Sequence, residues 1–261
     1  MPFIGLTGRV AVVTGAGSGI GAATARRLAA EGCLVALVDR DDCAARAVAK
    51  RCEGKPFVLR ADVSNEVDTS AYMEAVAAHF GRIDLIHLNA GILGSFGSFE
   101  ATEATEYDRV IAVNQRGVFL GLREALRYFR QAGRRGSLVV TSSLAGLRAS
   151  AAIVPYTASK HAVIGLARSA AIEGAPAGVR VNVVAPGFIE APLQSHALDF
   201  LGDPDAARAL RAHSPVGRMG TADEVAALVA FLLSEEAPFI TGGVHVIDGG
   251  VDVSDPMRRE A

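Results

Sequence analysis

The sequence predicts an α/β fold: a doubly wound parallel sheet with helices on both faces, folded as a single domain over residues 1–261. Two observations carry this. Short apolar runs alternate with longer segments of helical spacing as far as residue 247, the order that builds a parallel sheet. The runs are also nearly continuous in Val, Ile and Leu rather than alternating with polar residues, as strands covered on both faces require.

In chain order, 10–13, 34–38, 57–59, 85–88, 138–140, 181–184 and 244–247 read as strands. The intervening segments carry apolar residues three and four apart. Val225, Leu228, Val229 and Leu232 are one such set, and Thr221 with Glu224 ahead of them has the form of a capping box. The stretch 190–215 breaks the rhythm with Pro192, Gly202, Pro204 and Pro215. An excursion of this length in a compact domain reads as a substrate lid, with a plain surface excursion as the alternative. There is no internal repeat and no Pro/Gly/Ser linker.

Composition excludes several functions. The formal net charge is −2, which recruits neither nucleic acid nor an acidic membrane surface. The densest basic pair, Arg134 and Arg135, reads as a solvated loop. Cys33, Cys43 and Cys52 lack metal-ligand or CxxC spacing, so neither a zinc site nor a disulfide framework is expected and a reduced, cytoplasmic setting fits. No run approaches the ~18 apolar residues of a membrane span, and the first residues lack the pattern of a secretory signal.

The first strand runs into Thr14-Gly15-Ala16-Gly17-Ser18-Gly19-Ile20-Gly21 and then a helical pattern. Glycines between a strand and a helix let the backbone approach a pyrophosphate, and the helix N-terminus adds free N–H groups and a positive dipole end. The second strand ends at Asp39, where an acid accepts hydrogen bonds from the adenosine ribose and repels a 2′-phosphate. The expected cofactor is therefore NAD rather than NADP. Arg40 pulls the other way, since an adjacent Arg can accommodate that phosphate.

Tyr156-Thr157-Ala158-Ser159-Lys160 follows Ser143, with Asn114 upstream. With the glycine motif, Asp62-Val63, Asn89-Ala90-Gly91, Pro186-Gly187 and the closing Asp248-Gly249-Gly250, this order resembles the short-chain dehydrogenase/reductase family over about residues 6–253. The resemblance implies a Rossmann-type fold and an oxidoreductase that moves a hydride between NAD(H) and a secondary alcohol or ketone. An NADPH-dependent 3-oxoacyl thioester reductase working on acyl carrier protein is the alternative, which Asp39 opposes. It also implies site roles. Lys160 would hold the nicotinamide ribose, and Asn114 would support a proton relay. Asp62 and Val63 would touch the adenine edge, where the blander reading of Asp62 is a loop-start cap. The 89–91 backbone would line the ribose, and Ile189, after Pro186-Gly187, would present its N–H to the carboxamide. A homotetramer is expected through helices around 105–130 and 156–173, using Ala162, Val163, Leu166, Ala167 and Ala170. The alternative is that these residues only face the sheet.

The chemistry has its own logic. Tyr156 and Lys160, four apart, share a helix face. A free phenol titrates near ~10, and a neighbouring ammonium together with a cationic nicotinamide ring would favour the phenolate. Lowering that pKa by about two to three is worth roughly 3–4 kcal/mol and would make Tyr156 a general base in oxidation and an acid in reduction. Ser143 would stabilise charge on the substrate oxygen. Thr141 and Ser142 are competing hydroxyls, but Ser143 stands thirteen residues before Tyr156, the spacing usual in the family. Two positions depart from the family pattern. Leu88 replaces a common Asn and reads as core. Ala191 replaces a common Thr, which removes one carboxamide contact worth ~1 kcal/mol.

Three segments, 93–99, 144–155 and 188–198, should converge over the nicotinamide. Their side chains are mainly apolar: Leu93, Phe96, Leu144, Leu147, Ile153, Val154 and Leu193. Arg148 is their one cation and is expected to face solvent, with Gln194 and His196 at the rim. Such a lining favours a neutral, cyclic or medium-sized ketone or alcohol, because an unpaired buried charge is costly.

Overall fold

The computed structural model describes residues 3–192 and 206–253. The strands are β1 (Val10–Thr14), β2 (Leu34–Asp39), β3 (Phe57–Arg60), β4 (Leu85–Leu88), β5 (Gly136–Thr141), β6 (Val179–Pro186) and β9 (Val244–Ile247). They form one seven-stranded sheet in the order β3-β2-β1-β4-β5-β6-β9, and every neighbouring pair is parallel. Each of the seven runs read as a strand is one. A separate two-residue pair, β7 (Ile189–Glu190) and β8 (Gly220–Thr221), joins the two ends of the excursion around 190–215.

Side-chain alternation along β1 explains the unbroken apolar runs. Val10 and Val12 enter a cluster with Val76 of α3 (Glu66–Phe80), Leu122 and Phe129 of α5 (Gly117–Ala132) and Val163 of α6 (Val154–Gly174). Ala11 and Val13 enter the opposite cluster with Leu28 of α1 (Gly19–Ala30), Val48 of α2 (Asp42–Ala49) and Val229 of α8 (Ala222–Leu233). Successive strand residues point to opposite faces, and here both faces are covered. Leu88, in the place of the common Asn, is 4% exposed and belongs to the first cluster. The Thr221–Glu224 capping box is present at the start of α8.

The region expected as one helix over 105–130 is three pieces: α4 (Ala104–Ile111), a π-helical turn (Ala112–Arg116) and α5. The extra residue in that turn places Asn114 inward, where its side chain is fully buried. Of the five α6 residues expected to pair subunits, Ala162 and Leu166 are half-buried and three lie in the core. Val163, Ala167 and Ala170 belong to the core beneath α6, because they lie on the helix face turned to the sheet. The apolar side chains those helices expose are instead Tyr107, Phe119 and Ile172. Arg134 is not simply solvated either: it pairs with the buried Asp84 at 3.4 Å.

Chain order reverses between β1 and β4, since β2 lies on one side of β1 and β4 on the other. Open α/β sheets bind ligands at the carboxyl ends of strands at such a switch point. A short α7 (Ala206–His213) closes the described part of the excursion. Among the described residues no helix is long and apolar enough to cross a membrane.

Candidate active site

A cleft of about 290 Å³ opens above the carboxyl ends of β1 and β4. At one end it is walled by Gly15, Ser18, Gly19 and Ile20, with Asp39, Arg40, Asp62 and Val63 beyond them. Asn89, Ala90 and Gly91 lie along the middle. Ser143, Tyr156, Lys160, Pro186, Gly187 and Ile189 close the other end. Three residues singled out in the sequence do not line it: Gly17, which is half-buried, and Gly21 and Asn114, which are buried.

Each of the three has a mechanical reason. The Gly17 N–H donates to Asp39 Oδ2 at 2.8 Å, which ties the glycine loop to the tip of β2. A Cβ on Gly21 would collide with the Gly15 carbonyl oxygen, so α1 can start this close to β1 only with glycine there. Asn114 accepts from the Ile92 N–H at 2.8 Å and donates to the Ile92 carbonyl at 2.8 Å and Ser159 Oγ at 3.1 Å. That clamp spans β4's exit loop, the π turn and α6, and it accounts for the turn's extra residue.

The cradle fits a pyrophosphate. Ser18 caps α1 with no side-chain hydrogen bond, which leaves the first N–H groups of the helix for an anion. Asp39 keeps its carboxylate at the strand tip, accepting also from the Asp41 N–H at 3.0 Å. The exposed Arg40 stands next to it. Asp62 uses Oδ1 to cap its own turn, accepting from the Ser64 N–H at 2.9 Å and Ser64 Oγ at 2.7 Å, while still lining the cleft. Ala191 sits against the glycine loop, 3.5 Å from where a Gly19 Cβ would be.

At the other end Tyr156 and Lys160 share one face of α6 and are 8% and 3% exposed. The Ser143 hydroxyl lies near enough to the Tyr156 phenol to favour its ionised form. Ser143 Oγ also accepts from the Ala145 N–H at 3.2 Å. Lys160 is held at both ends: Nζ donates to the Thr141 carbonyl at 2.9 Å, and the Lys160 carbonyl accepts from Ser142 Oγ at 2.8 Å. The two hydroxyls that compete with Ser143 in the sequence, those of Thr141 and Ser142, therefore belong to residues that hold the lysine.

In the chain alone, burial raises the Tyr156 pKa above its ordinary value, and the Ser143 hydroxyl only partly opposes that. Burial likewise brings Lys160 down to about 8, and its Nζ is 5.5 Å from the Tyr156 ring centre, pointed at a carbonyl. The lysine is thus a weaker support for the phenolate than a shared helix face suggests. Within the chain alone, burial favours the protonated phenol.

Two of the three expected wall segments meet. The Gly97 N–H donates to the Ala152 carbonyl at 3.0 Å, joining the 93–99 and 144–155 segments. Arg148 is exposed and donates to the Val251 carbonyl at 3.4 Å. Leu193, Gln194 and His196 lie outside the described residues. Sequence reasoning missed Glu106, which accepts from the Ser95 N–H at 2.6 Å and pins the first wall.

The family model described as "Enoyl-(Acyl carrier protein) reductase" matches residues 15–252. Levodione reductase of Leifsonia aquatica is 41% identical over 95% of this chain and 96% of its own. The chain belongs to the short-chain dehydrogenase/reductase family. It is an oxidoreductase acting on CH–OH groups and their carbonyl counterparts. The crystal structure of levodione reductase superposes with a TM-score of 0.89 at 40% identity, covering 95% of this chain and 99% of that one. Cis-4-hydroxycyclohexanecarboxylate dehydrogenase of Sinomonas cyclohexanicum is 40% identical over 93% of this chain and 96% of its own. A 3-ketoacyl-(acyl-carrier-protein) reductase of Brucella melitensis, solved in complex with NADH, has a TM-score of 0.88 at 35% identity and covers 95% of this chain and all of that one.

Proposed function

We propose that this member of the family is an NAD(H)-linked dehydrogenase of cyclic or medium-sized neutral secondary alcohols, and reduces the corresponding ketones. The observation that carries the reading is the placement of Tyr156, Ser143 and Lys160 together at one end of a cleft whose other end meets a phosphate cradle and Asp39. When bound there, the nicotinamide supplies or accepts the hydride. Tyr156 gives its proton to the carbonyl oxygen in reduction and takes it back in oxidation. Ser143 donates to the same oxygen and stabilises the developing charge. Lys160 faces the nicotinamide ribose, and Asn114 holds the backbone at Ile92 and Ser159 around it. Gly15, Ser18, Gly19 and Ile20 hold the pyrophosphate. Asp39 accepts from the adenosine ribose and disfavours a 2′-phosphate. Asp62 and Val63 border the adenine, Ala90 and Gly91 the ribose, and Ile189 the carboxamide.

Substrate class follows from the walls. Arg148 is the one cation in the described stretches 93–99, 144–155 and 188–192, and its guanidinium is turned to the Val251 carbonyl. A cyclohexanol dehydrogenase of Acinetobacter, 39% identical over 92% of this chain, and the cyclohexanecarboxylate dehydrogenase are both named for ring substrates, the first of them neutral, which supports a cyclic ketone here. A thioester on acyl carrier protein has less support, because the relatives named for rings are the more identical ones. We place the enzyme in the cytoplasm as a homotetramer, with 190–215 as its substrate lid.

The test is a panel of cyclic and linear ketones, each offered with NADH and with NADPH and followed at the reduced-nicotinamide absorbance band. The expected result is turnover of neutral ring ketones with NADH preferred, and a narrowed preference in Asp39→Ala. A wild type that prefers NADPH, or a carboxylated ketone whose advantage Arg148→Ala abolishes, overturns the respective part of the reading.

A further inference from the structure

One buried group takes no part in the chemistry above. His87 lies in β4, in register with Val13 of β1 and Val139 of β5, and is 0% exposed. Its neighbours in the sheet are aliphatic, and a position that only fills space between them has no need of an imidazole. A buried polar ring is costly unless its nitrogens are paired. His87 Nε2 is paired, 2.8 Å from Thr141 Oγ1, while Nδ1 has no partner.

The direction of the hydrogen bonds is determined by the far end of the chain. Asn89 Nδ2 is 3.2 Å from the Thr14 carbonyl and 3.4 Å from the Gly15 carbonyl. Carbonyls only accept, so the amide nitrogen faces them and Oδ1 faces Thr141. The Thr141 hydroxyl, at 3.2 Å, must then donate to Asn89 Oδ1. Having one proton, it accepts from His87, which is therefore the Nε2–H tautomer. The unpaired Nδ1 is a lone pair rather than a stranded N–H. The same Thr141 offers its backbone carbonyl to Lys160 Nζ at 2.9 Å.

We propose that His87 is a positioning residue for the cofactor cleft: acting through Thr141, it fixes the Asn89 amide that holds the glycine loop, next to the carbonyl that receives Lys160. Two parts of the cleft that lie far apart in sequence, the Gly15 turn and the lysine, are thereby referred to one threonine. Burial keeps the imidazole neutral, with its pKa brought down to about 3, so the relay keeps one polarity across the working pH range. The inference rests on the reading of this cleft as a dinucleotide site.

The experiment is NADH affinity, read from the fluorescence of the reduced nicotinamide, alongside melting temperature. It compares wild type, His87→Leu, His87→Gln, Thr141→Val, Thr141→Ser and the double variant His87→Leu/Thr141→Val. His87→Leu and Thr141→Val should each weaken binding about tenfold. The double variant should be no weaker than either, because both remove one relay. His87→Gln, whose amide nitrogen reaches the Nε2 position, and Thr141→Ser should recover most of the loss. Kd values within about twofold of wild type in folded His87→Leu and Thr141→Val overturn the proposal, as do losses that multiply to about a hundredfold in the double variant. If His87→Leu does not fold, His87→Gln and the two Thr141 variants decide the matter in the same way. A wild type that fails to bind NADH refutes the dinucleotide reading itself, whereas a binding wild type with unaffected variants refutes only the role of His87.

Discussion

At the residue scale the site is governed by desolvation. Tyr156 and Lys160 are both enclosed, and burial pushes each toward its neutral form. A neutral phenol is the proton donor that ketone reduction uses, and in oxidation the charge of the bound cofactor would help form the phenolate. The lysine also has a stability signature. Its pKa is about 8 in the fold and near ~10.4 in an unfolded chain. Below pH 8 both states carry the proton. Between about 8 and 10.4 the unfolded state binds more protons, so stability rises with pH there, by roughly 3 kcal/mol in all. Lys160→Met removes this contribution. Melting curves from pH 7 to 10 should show the wild type gaining on the variant as pH rises, and parallel pH profiles would contradict the assigned burial.

At the element scale, close approaches between backbones position these side chains. The 3₁₀ turn Leu144–Gly146 packs against α6 at Lys160. A Cβ on Gly146 would collide with Ser142 Oγ and come within 2.5 Å of the Lys160 carbonyl oxygen. Gly146→Ala should therefore displace the Ser142–Lys160 hydrogen bond and cost about 1–3 kcal/mol of stability, with kcat falling more than the substrate KM rises. Unchanged kinetics and melting would show that the turn yields freely. This contact also marks where sequence reading stops. Strand positions are legible because both faces of the sheet are buried, which writes continuous Val/Ile/Leu runs into the chain. Tyr156, Lys160, Ser143 and the glycine loop are legible because their chemistry demands fixed types at fixed spacing. Thr141 and Ser142 are not, because their role depends on which backbone carbonyls lie opposite. Asn114 is legible as a residue, but its π turn is not, since the clamp on Ile92 forms only after β4 and α6 meet.

At the scale of the whole molecule, one sheet does two jobs. Its core is two apolar layers, and the carboxyl ends of β1, β4 and β5 carry the cleft. The subunit surface is the least legible feature. Ala162, Val163, Leu166, Ala167 and Ala170 have the small and aliphatic character of a packing face, yet in Val163, Ala167 and Ala170 that character serves the core. A helix packed on a sheet and a helix packed on a partner need the same kind of stripe. The exposed Phe119 and Ile172, 46% and 77% accessible, are the apolar groups that a partner would cover. Light scattering at micromolar concentration should give a tetramer mass, and Ile172→Glu with Phe119→Glu should lower it. A monomeric wild type contradicts the assembly.

The central claim is that this cleft transfers a hydride to a ketone while Tyr156 supplies the proton. Its most direct measurement uses NADH doubly deuterated at C4 and the best ring ketone of the panel, with the product alcohol analysed by mass spectrometry for the wild type and for Tyr156→Phe. The wild type should leave one deuterium on the carbinol carbon. Tyr156→Phe should lose nearly all product, while its NADH affinity stays close to that of the wild type. Product without deuterium, or turnover by Tyr156→Phe at the wild-type rate, would contradict it.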